Sequence, residues 1–490
     1  MDMSPPQIIT HEQRRDIVIG VLVAMMLAAL DQTIVAPALP TIGASLGDAD
    51  FLSWIISAYL LTGTAVTPLY GKLSDIYGRR PIMSLALGVF TLGSILCALA
   101  PSMLAIIIGR AVQGLGGGGL VALAQTVIAD VVSPRERARY VVYISTVWAT
   151  SSVVGPILGG LFAQHLSWSL IFWINLPIGA LAFVMTHKRL KGLPQIRRNH
   201  RLDILGAVLI MAATVAVMLV LTLGGARLGW TSPTILWLGC GAVLLAGALA
   251  VHLKRSPEPL IPLDIFRNEV VGTATAALFF SMFAFIGSTV YFPIYLEFVT
   301  GKDSTTAGAG LIGLVGGSVL GATIAGRSMP RRVHYKRLAV VGLCLAIAAL
   351  ALLSVMAPSL NFWQAEILIT MLGLGVGPLF PTATISVQNA VDQRDLGIAT
   401  ATLAFLRTFG SAIGVALMGA VVIGYGVVTD DGLLQIGGTV DPAMALQAGR
   451  AFTTMFALQG LALAVSLAFF LMMEERPLRG PTTSAAALVE

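Results

Sequence analysis

Asp31 and Arg110 each stand inside a long run of apolar residues, where an ionisable side chain is costly and therefore faces other helices or water. A carboxyl group so placed can take up and release a proton, because desolvation favours its neutral form and a nearby guanidinium favours the carboxylate. Whether the two can meet is a question of depth. Asp31 lies 14 residues beyond Ile17, about 21 Å along a helix that rises ~1.5 Å per residue. That leaves it about 9 Å below the far face of a roughly 30 Å hydrocarbon core. Arg110 lies 7 residues after Met103, about 10 Å below the same face. The levels coincide, so the pair is expected to face each other. Two uses stay open: Asp31 couples proton or cation movement with Arg110 as its partner, or the pair is static and only orients two helices.

Gln113, Gly114 and Gly117 follow Arg110 at spacings of three, four and seven, which puts them on one helix face. Arg407 falls about 16 Å into another apolar run, near mid-membrane, and is expected to face a central cavity in either a substrate or a hydrogen-bonding role. Glu297 sits near an outer rim. Tyr59, Trp148, Tyr291 and Tyr295 would suit an aromatic-lined cavity for large hydrophobic cations, and equally suit a belt or a core. Other chemistries lack support. Gly114-x-Gly116-x-x-Gly119 fits a dinucleotide pattern but lies within an apolar helix, and no GxxxxGK[ST] stretch exists. The six histidines lie in termini, loops or helix ends, so no metal, cofactor or catalytic cluster is expected and the chain does not read as an enzyme.

The elements that must hold these groups are membrane helices. Of all residues 56% are apolar and 11% charged, against roughly a quarter charged in a soluble domain. Runs of about twenty apolar residues place helices near 17–39, 52–70, 81–99, 103–128, 140–163, 168–187, 204–223, 234–253, 270–297, 306–326, 338–356, 362–387, 396–424 and 450–473. The expected fold is an all-α membrane protein with fourteen transmembrane helices. Threaded from an inside N-terminus, the connections on that side hold 25 of the 30 lysines and arginines, the other side 3, and helices 2. Such a bias predicts both termini in the cytoplasm. The net charge of +6 then reflects topology and anionic lipid, with no nucleic-acid partner. The first run lacks a small-residue cleavage site and reads as a signal anchor. Cys97, Cys240 and Cys344 fall in apolar runs as small hydrophobes, with no disulfide framework implied.

The basic connection Lys188 to Arg201 reads as a linker between halves. Residues 1–190 form an expected N-terminal six-helix bundle, 191–258 a linker with an inserted helix pair, and 259–490 a C-terminal six-helix bundle. The halves match loosely: Gly155 and Gly159 correspond to Gly410 and Gly414, as expected where a site lies between two repeats.

Gly71-Lys-Leu-Ser-Asp75-Ile-Tyr-Gly78-Arg79-Arg80 separates two apolar runs as a short basic turn, with Gly71 and Gly78 for sharp bends and close approach and with Asp75, Arg79 and Arg80 able to form ion pairs. Asp130 is a further partner at the same membrane face. Gly155, Pro156, Gly159 and Gly160 let a neighbouring helix approach and should bend their own. With Arg110-x-x-Gln113-Gly114-x-Gly116 and Leu30-Asp31-x-Thr33 through Pro40, these stretches resemble the signature motifs of the major facilitator superfamily, and the chain resembles its fourteen-helix drug:proton antiporters of the EmrB/QacA type. The resemblance implies that the Gly71–Arg80 loop is a conformational latch between halves. It also implies that the Gly155–Gly160 motif marks an exporter. Ile76 departs from the basic residue many relatives carry, and Glu297 from their glutamine.

The resulting expectation is a monomeric multidrug efflux transporter in the cytoplasmic membrane, driven by the proton gradient. It would export small amphiphilic or cationic compounds by alternating access, with membrane lipid around it and room for a periplasmic adaptor as partner. The same scaffold could instead export a specific lipid, siderophore or metabolite. A non-transporting polytopic enzyme or scaffold is the remaining class.

Overall fold

A computed structural model describes residues 11–47, 51–132, 134–190, 203–226, 228–301, 304–331, 334–392, 395–425 and 442–478. The N-terminal half comprises α1 (His11–Ile34), α2 (Leu39–Leu46), α3 (Leu52–Tyr77), α4 (Arg79–Ala98), α5 (Met103–Val131), α6 (Pro134–His165), α7 (Leu170–Trp173) and α8 (Asn175–Arg189). Next come α9 (Ile204–Ala226) and α10 (Pro233–Arg255). The C-terminal half holds α11 (Glu269–Thr300), α12 (Ser304–Ala309), α13 (Leu311–Ser328), α14 (Lys336–Met356), α15 (Phe362–Val376), α16 (Leu379–Ala390), α17 (Leu396–Gly424) and α18 (Pro442–Met472).

Among the described residues, thirteen helical stretches are long and apolar enough to cross a membrane. The expected stretch at 52–70 is also helical, as part of α3. Its apolar character is diluted by Tyr59, Thr62, Thr64, Thr67 and Tyr70, most of which are buried inside the bundle. Several expected helices are broken. The first ends at Ile34 and re-forms as α2, the sixth is divided at Ile174, and Gly377 and Pro378 separate α15 from α16.

Each half has its own core. In the first, α5 packs on α3 and α4 while α1 lies against α6 and α8. In the second, α11 packs on α17 and α18, α13 on α15, and α14 on α15 and α18. The halves are built alike at their glycines. Gly155 and Gly159 of α6 press on Thr33 and Ile34 of α1, and Gly410 and Gly414 of α17 press on Phe279 and Phe283 of α11. Gly160 differs from expectation: nothing lies within 4 Å of where its side chain would be. α6 stays a continuous helix through Pro156.

The halves meet where α3 and α5 touch α17 and where α6 touches α13 and α16. The added pair packs together, and α9 also leans on α3 and α17. Its anchor is Asp203, which accepts the Gly206 N–H at 2.8 Å, pairs with His252 Nε2 at 2.8 Å and accepts the Leu260 N–H at 3.3 Å. Leu260 and Ile261 are thereby held in a small core with Ala207, Ile210, Ile398 and Phe405. Partial burial works to raise the Asp203 carboxyl, but these three partners together hold it below its ordinary range.

Candidate functional site

Asp31, near the end of α1, is buried and receives three donors. Arg110 Nη1 reaches its Oδ2 at 2.6 Å, while Gln113 Nε2 at 2.7 Å and Asn175 Nδ2 at 2.8 Å converge on its Oδ1. Arg110 is satisfied in turn. Its Nε donates to the Ile55 carbonyl at 2.9 Å, its Nη1 also donates to Gln113 Oε1 at 2.6 Å, and its guanidinium lies 4.4 Å over the Tyr59 ring. Ser94 closes the network by accepting from Gln113 Nε2 at 2.8 Å and from Asn175 Nδ2 at 3.3 Å. Five helices, α1, α3, α4, α5 and α8, therefore contribute to one buried polar knot.

The local sequence explains the approach. Gly114 and Gly117 of α5 lie against Tyr59, which needs their missing side chains to come this close, and Gly93 of α4 does the same for the backbone of Gln113. Three donors on two oxygens suit a carboxylate; a protonated acid would set its own O–H against one of them. Asn175 and Ser94 escape a reading based on charge, since each is a single small polar residue in an apolar run. Asn175 leaves a trace in the structure, because its Oδ1 is buried without a partner.

A second site lies at the end of the molecule where Lys72, Arg79, Arg80 and Arg137 gather. Here α3 continues through Gly71 to Tyr77, and the chain turns at Gly78 alone, with φ of 93°. Gly71 is thus no turn residue. It is the point where α3 touches α17, with no room for a side chain beside Ala401 and the carbonyl of Gly397. Arg79 binds Asp75 and donates to Asp130 Oδ2 at 2.7 Å and Ser74 Oγ at 2.6 Å. The free oxygen of Asp75 accepts the Ile398 N–H at 3.0 Å, in the first turn of α17, where unsatisfied amides and the helix dipole favour a negative charge. Arg80 lies apart from this clamp: it donates to the His187 carbonyl at 2.9 Å and lies 2.6 Å from its Nε2, within its own half.

A second tie at the same end was not expected. Arg137 of α6, buried, donates to Gln388 Oε1 of α16 at 3.0 Å and to the last carbonyls of α5. Burial pushes its guanidinium down to about 10, with Asp130 acting the other way.

The remaining expected residues do not assemble into one cavity. Tyr295 is core, stacked with Phe292 and bonded to the Ala357 carbonyl at 2.9 Å. Tyr291 packs on the same core with its hydroxyl against Gly419, and Trp148 lies against the core of the first half. Glu297 is part-buried near the end of α11. Arg407 is part-buried midway along α17, on the other half from Asp31. Cys97 is buried, whereas Cys240 and Cys344 are exposed on α10 and α14. No metal-binding group of side chains occurs among the described residues.

The sequence profile of the Major Facilitator Superfamily matches residues 21–415, most of the chain. The chain belongs to the Major Facilitator Superfamily. Members are transporters and not enzymes. Multidrug resistance protein 3 of Bacillus subtilis is 34% identical over 405 residues, covering 83% of this chain and 79% of that one. An uncharacterized transporter of the same superfamily from Mycobacterium tuberculosis is 34% identical over 419 residues, 84% of this chain, and the match spans 60% of that relative's length. The crystal structure of the human organic anion transporter MFSD10 superposes with a TM-score of 0.64 at 19% identity, covering 94% of this chain and 100% of that one. At that identity the likeness concerns the superfamily fold alone.

Proposed function

We propose that this superfamily member exports amphiphilic and cationic compounds across the cytoplasmic membrane in exchange for protons. In this reading α3 is the fourteenth membrane helix, both termini are cytoplasmic, the basic end faces the cytoplasm and the chain acts as a monomer. The observation that carries the reading is the buried Asp31 knot: a carboxylate enclosed by Arg110, Gln113 and Asn175, at the far end of the molecule from the Asp75–Ile398 clamp. Relatives named for multidrug resistance support export as the direction.

In this reading the arrangement with Asp75 on α17 and Arg137 on α16 is the one closed to the cytoplasm, and it goes with an ionised Asp31 bound by Arg110. A proton arriving at Asp31 removes the charge that Arg110 and the two amides bind, which frees α1, α5 and α8 to shift against one another. Rocking of the halves then breaks the two cytoplasmic ties and admits the compound from inside. Return of Arg110 to an ionised Asp31 restores the closed arrangement.

The test is transport in proteoliposomes with an imposed pH gradient. Wild type should accumulate a lipophilic cation only when the gradient is present, and should move protons in the opposite direction. Asp31→Asn should fold, keep facilitated counterflow and lose gradient-driven accumulation. Undiminished accumulation by that variant would remove Asp31 from coupling.

A further inference from the structure

Among the arginines of the described C-terminal helices, Arg327 and Arg337 stand at helix ends and Arg450 at the start of the apolar part of α18, whereas Arg407 stands midway along α17 and belongs to none of the clamps above. It lies 11 residues after Leu396, about 16 Å into α17. Its neighbours on the helix set its direction. Gly410, three residues on, presses on α11, and Ala404, three residues back, packs against Ala122 of α5. Arg407 falls between those two directions, beside α11 on the side of α17 that meets the N-terminal half.

The residue as a whole is part-buried, and its guanidinium has no hydrogen-bond or ion-pair partner among the described residues. The acids that could have answered it sit elsewhere: Glu297 lies near the far end of α11, well beyond Phe279, which is level with Gly410. Asp31 is held by Arg110, Gln113 and Asn175. Glu366 accepts the Gly313 N–H in the first turn of α13. Among the described residues, the space between the halves therefore carries one unanswered positive charge at mid-depth, where charged groups are rare and face a pathway. A carrier of cations alone would set this charge against its own cargo. Five N–H donors in a planar fork instead match the paired oxygens of a carboxylate or sulfonate.

We propose that Arg407 is the recognition point for an anionic head group on the transported amphiphile. The proposal rests on the export reading and narrows it: compounds with an apolar body and a carboxylate or sulfonate, alone or beside a cationic group, are taken in preference to simple cations.

The experiment compares two fluorescent naphthalene dyes, one an aryl sulfonate and one an aryl quaternary ammonium. Equilibrium binding is measured in nanodiscs and movement in proteoliposomes, for wild type, Arg407→Gln and Arg407→Lys. Wild type should bind the sulfonate more tightly. Arg407→Gln should weaken sulfonate binding at least about tenfold and leave ammonium binding equal or stronger, while Arg407→Lys, which keeps the charge but loses the planar fork, should recover only part of the sulfonate affinity. Equal sulfonate affinity in wild type and Arg407→Gln overturns the site. So does a wild-type protein that takes the ammonium and refuses the sulfonate, whatever the variants do. The two readings fail separately. Sulfonate binding that depends on Arg407, with neither dye moved, sinks export and keeps the anion site; ammonium movement without sulfonate binding does the reverse.

Discussion

The carboxylate of Asp75 accepts the backbone N–H of Ile398 at 3.0 Å, joining the last turn of α3 to the first turn of α17 across the two halves. Arg79 holds the other oxygen and is itself fixed by Asp130. Replacing Asp75 by Ala removes the link and leaves Arg79 with one acid. The expected result is a looser basic end. In a background carrying Cys240→Ser and Cys344→Ser, labelling of Ala404→Cys by a hydrophilic maleimide should be slow with Asp75 present and at least about fivefold faster with Asp75→Ala, as the closed population falls. Equal rates would mean that the clamp does not hold the halves together.

Gly159 and Gly160 are adjacent in sequence and opposite in consequence. A side chain at Gly159 would strike the Ile34 carbonyl, while one at Gly160 meets nothing within 4 Å. Gly159→Val should therefore cost about 1–3 kcal/mol by forcing α6 from α1, and Gly160→Val should stay within about 0.5 kcal/mol. Thermal unfolding of the two purified variants in one detergent gives the comparison; equal loss would contradict the packing.

Gln113 serves both members of the buried pair, donating to Asp31 and accepting from Arg110, whereas Asn175 serves Asp31 alone. Hydrogen bonds to charged groups contribute about 1.5–3 kcal/mol each. Gln113→Ala should thus be the more destabilising of the two alanine variants, read by unfolding temperature, and both should slow gradient-driven transport. A Gln113→Ala protein as stable as wild type would show that Arg110 and Asp31 need no third group.

Asp203 provides a pH-dependent anchor for the added pair. Its carboxyl is held below its ordinary range, so the contribution is present above the usual carboxylate value and is lost as pH falls through the lowered one. Engineered-cysteine cross-linking between α9 and α17 should be unchanged from neutral pH down through the usual carboxylate range and should fail only in stronger acid. Asp203→Asn should weaken it at every pH. Cross-linking of wild type that declines near neutral pH would assign the anchor to another group.

Much of this architecture is legible in the chain because the bilayer makes polar residues conspicuous. Asp31 and Arg110 stand out in apolar runs, and equal depth is enough to pair them. Asn175 and Ser94 complete the same network yet go unnoticed, since a small amide or hydroxyl in an apolar run satisfies itself in many ways. Tyr295 fails for a different reason: its aromatic ring suits a cavity or a core, and the choice is made by Ala357, 62 residues away. Gly71 looks like a bend because it precedes basic residues, but a glycine inside a helix serves equally to admit another helix. Arg137 reads as one more positive charge on the inner side until α16 brings Gln388 to it.

The contact of α9 with both α3 and α17 breaks the likeness of the two flanks. Along that seam a third layer of helix stands between the moving parts and the lipid, while the seam of α6 and α13 has no such added layer among the described residues. A solute drifting sideways through the leaflet thus meets a screened wall on one side and a bare joint on the other.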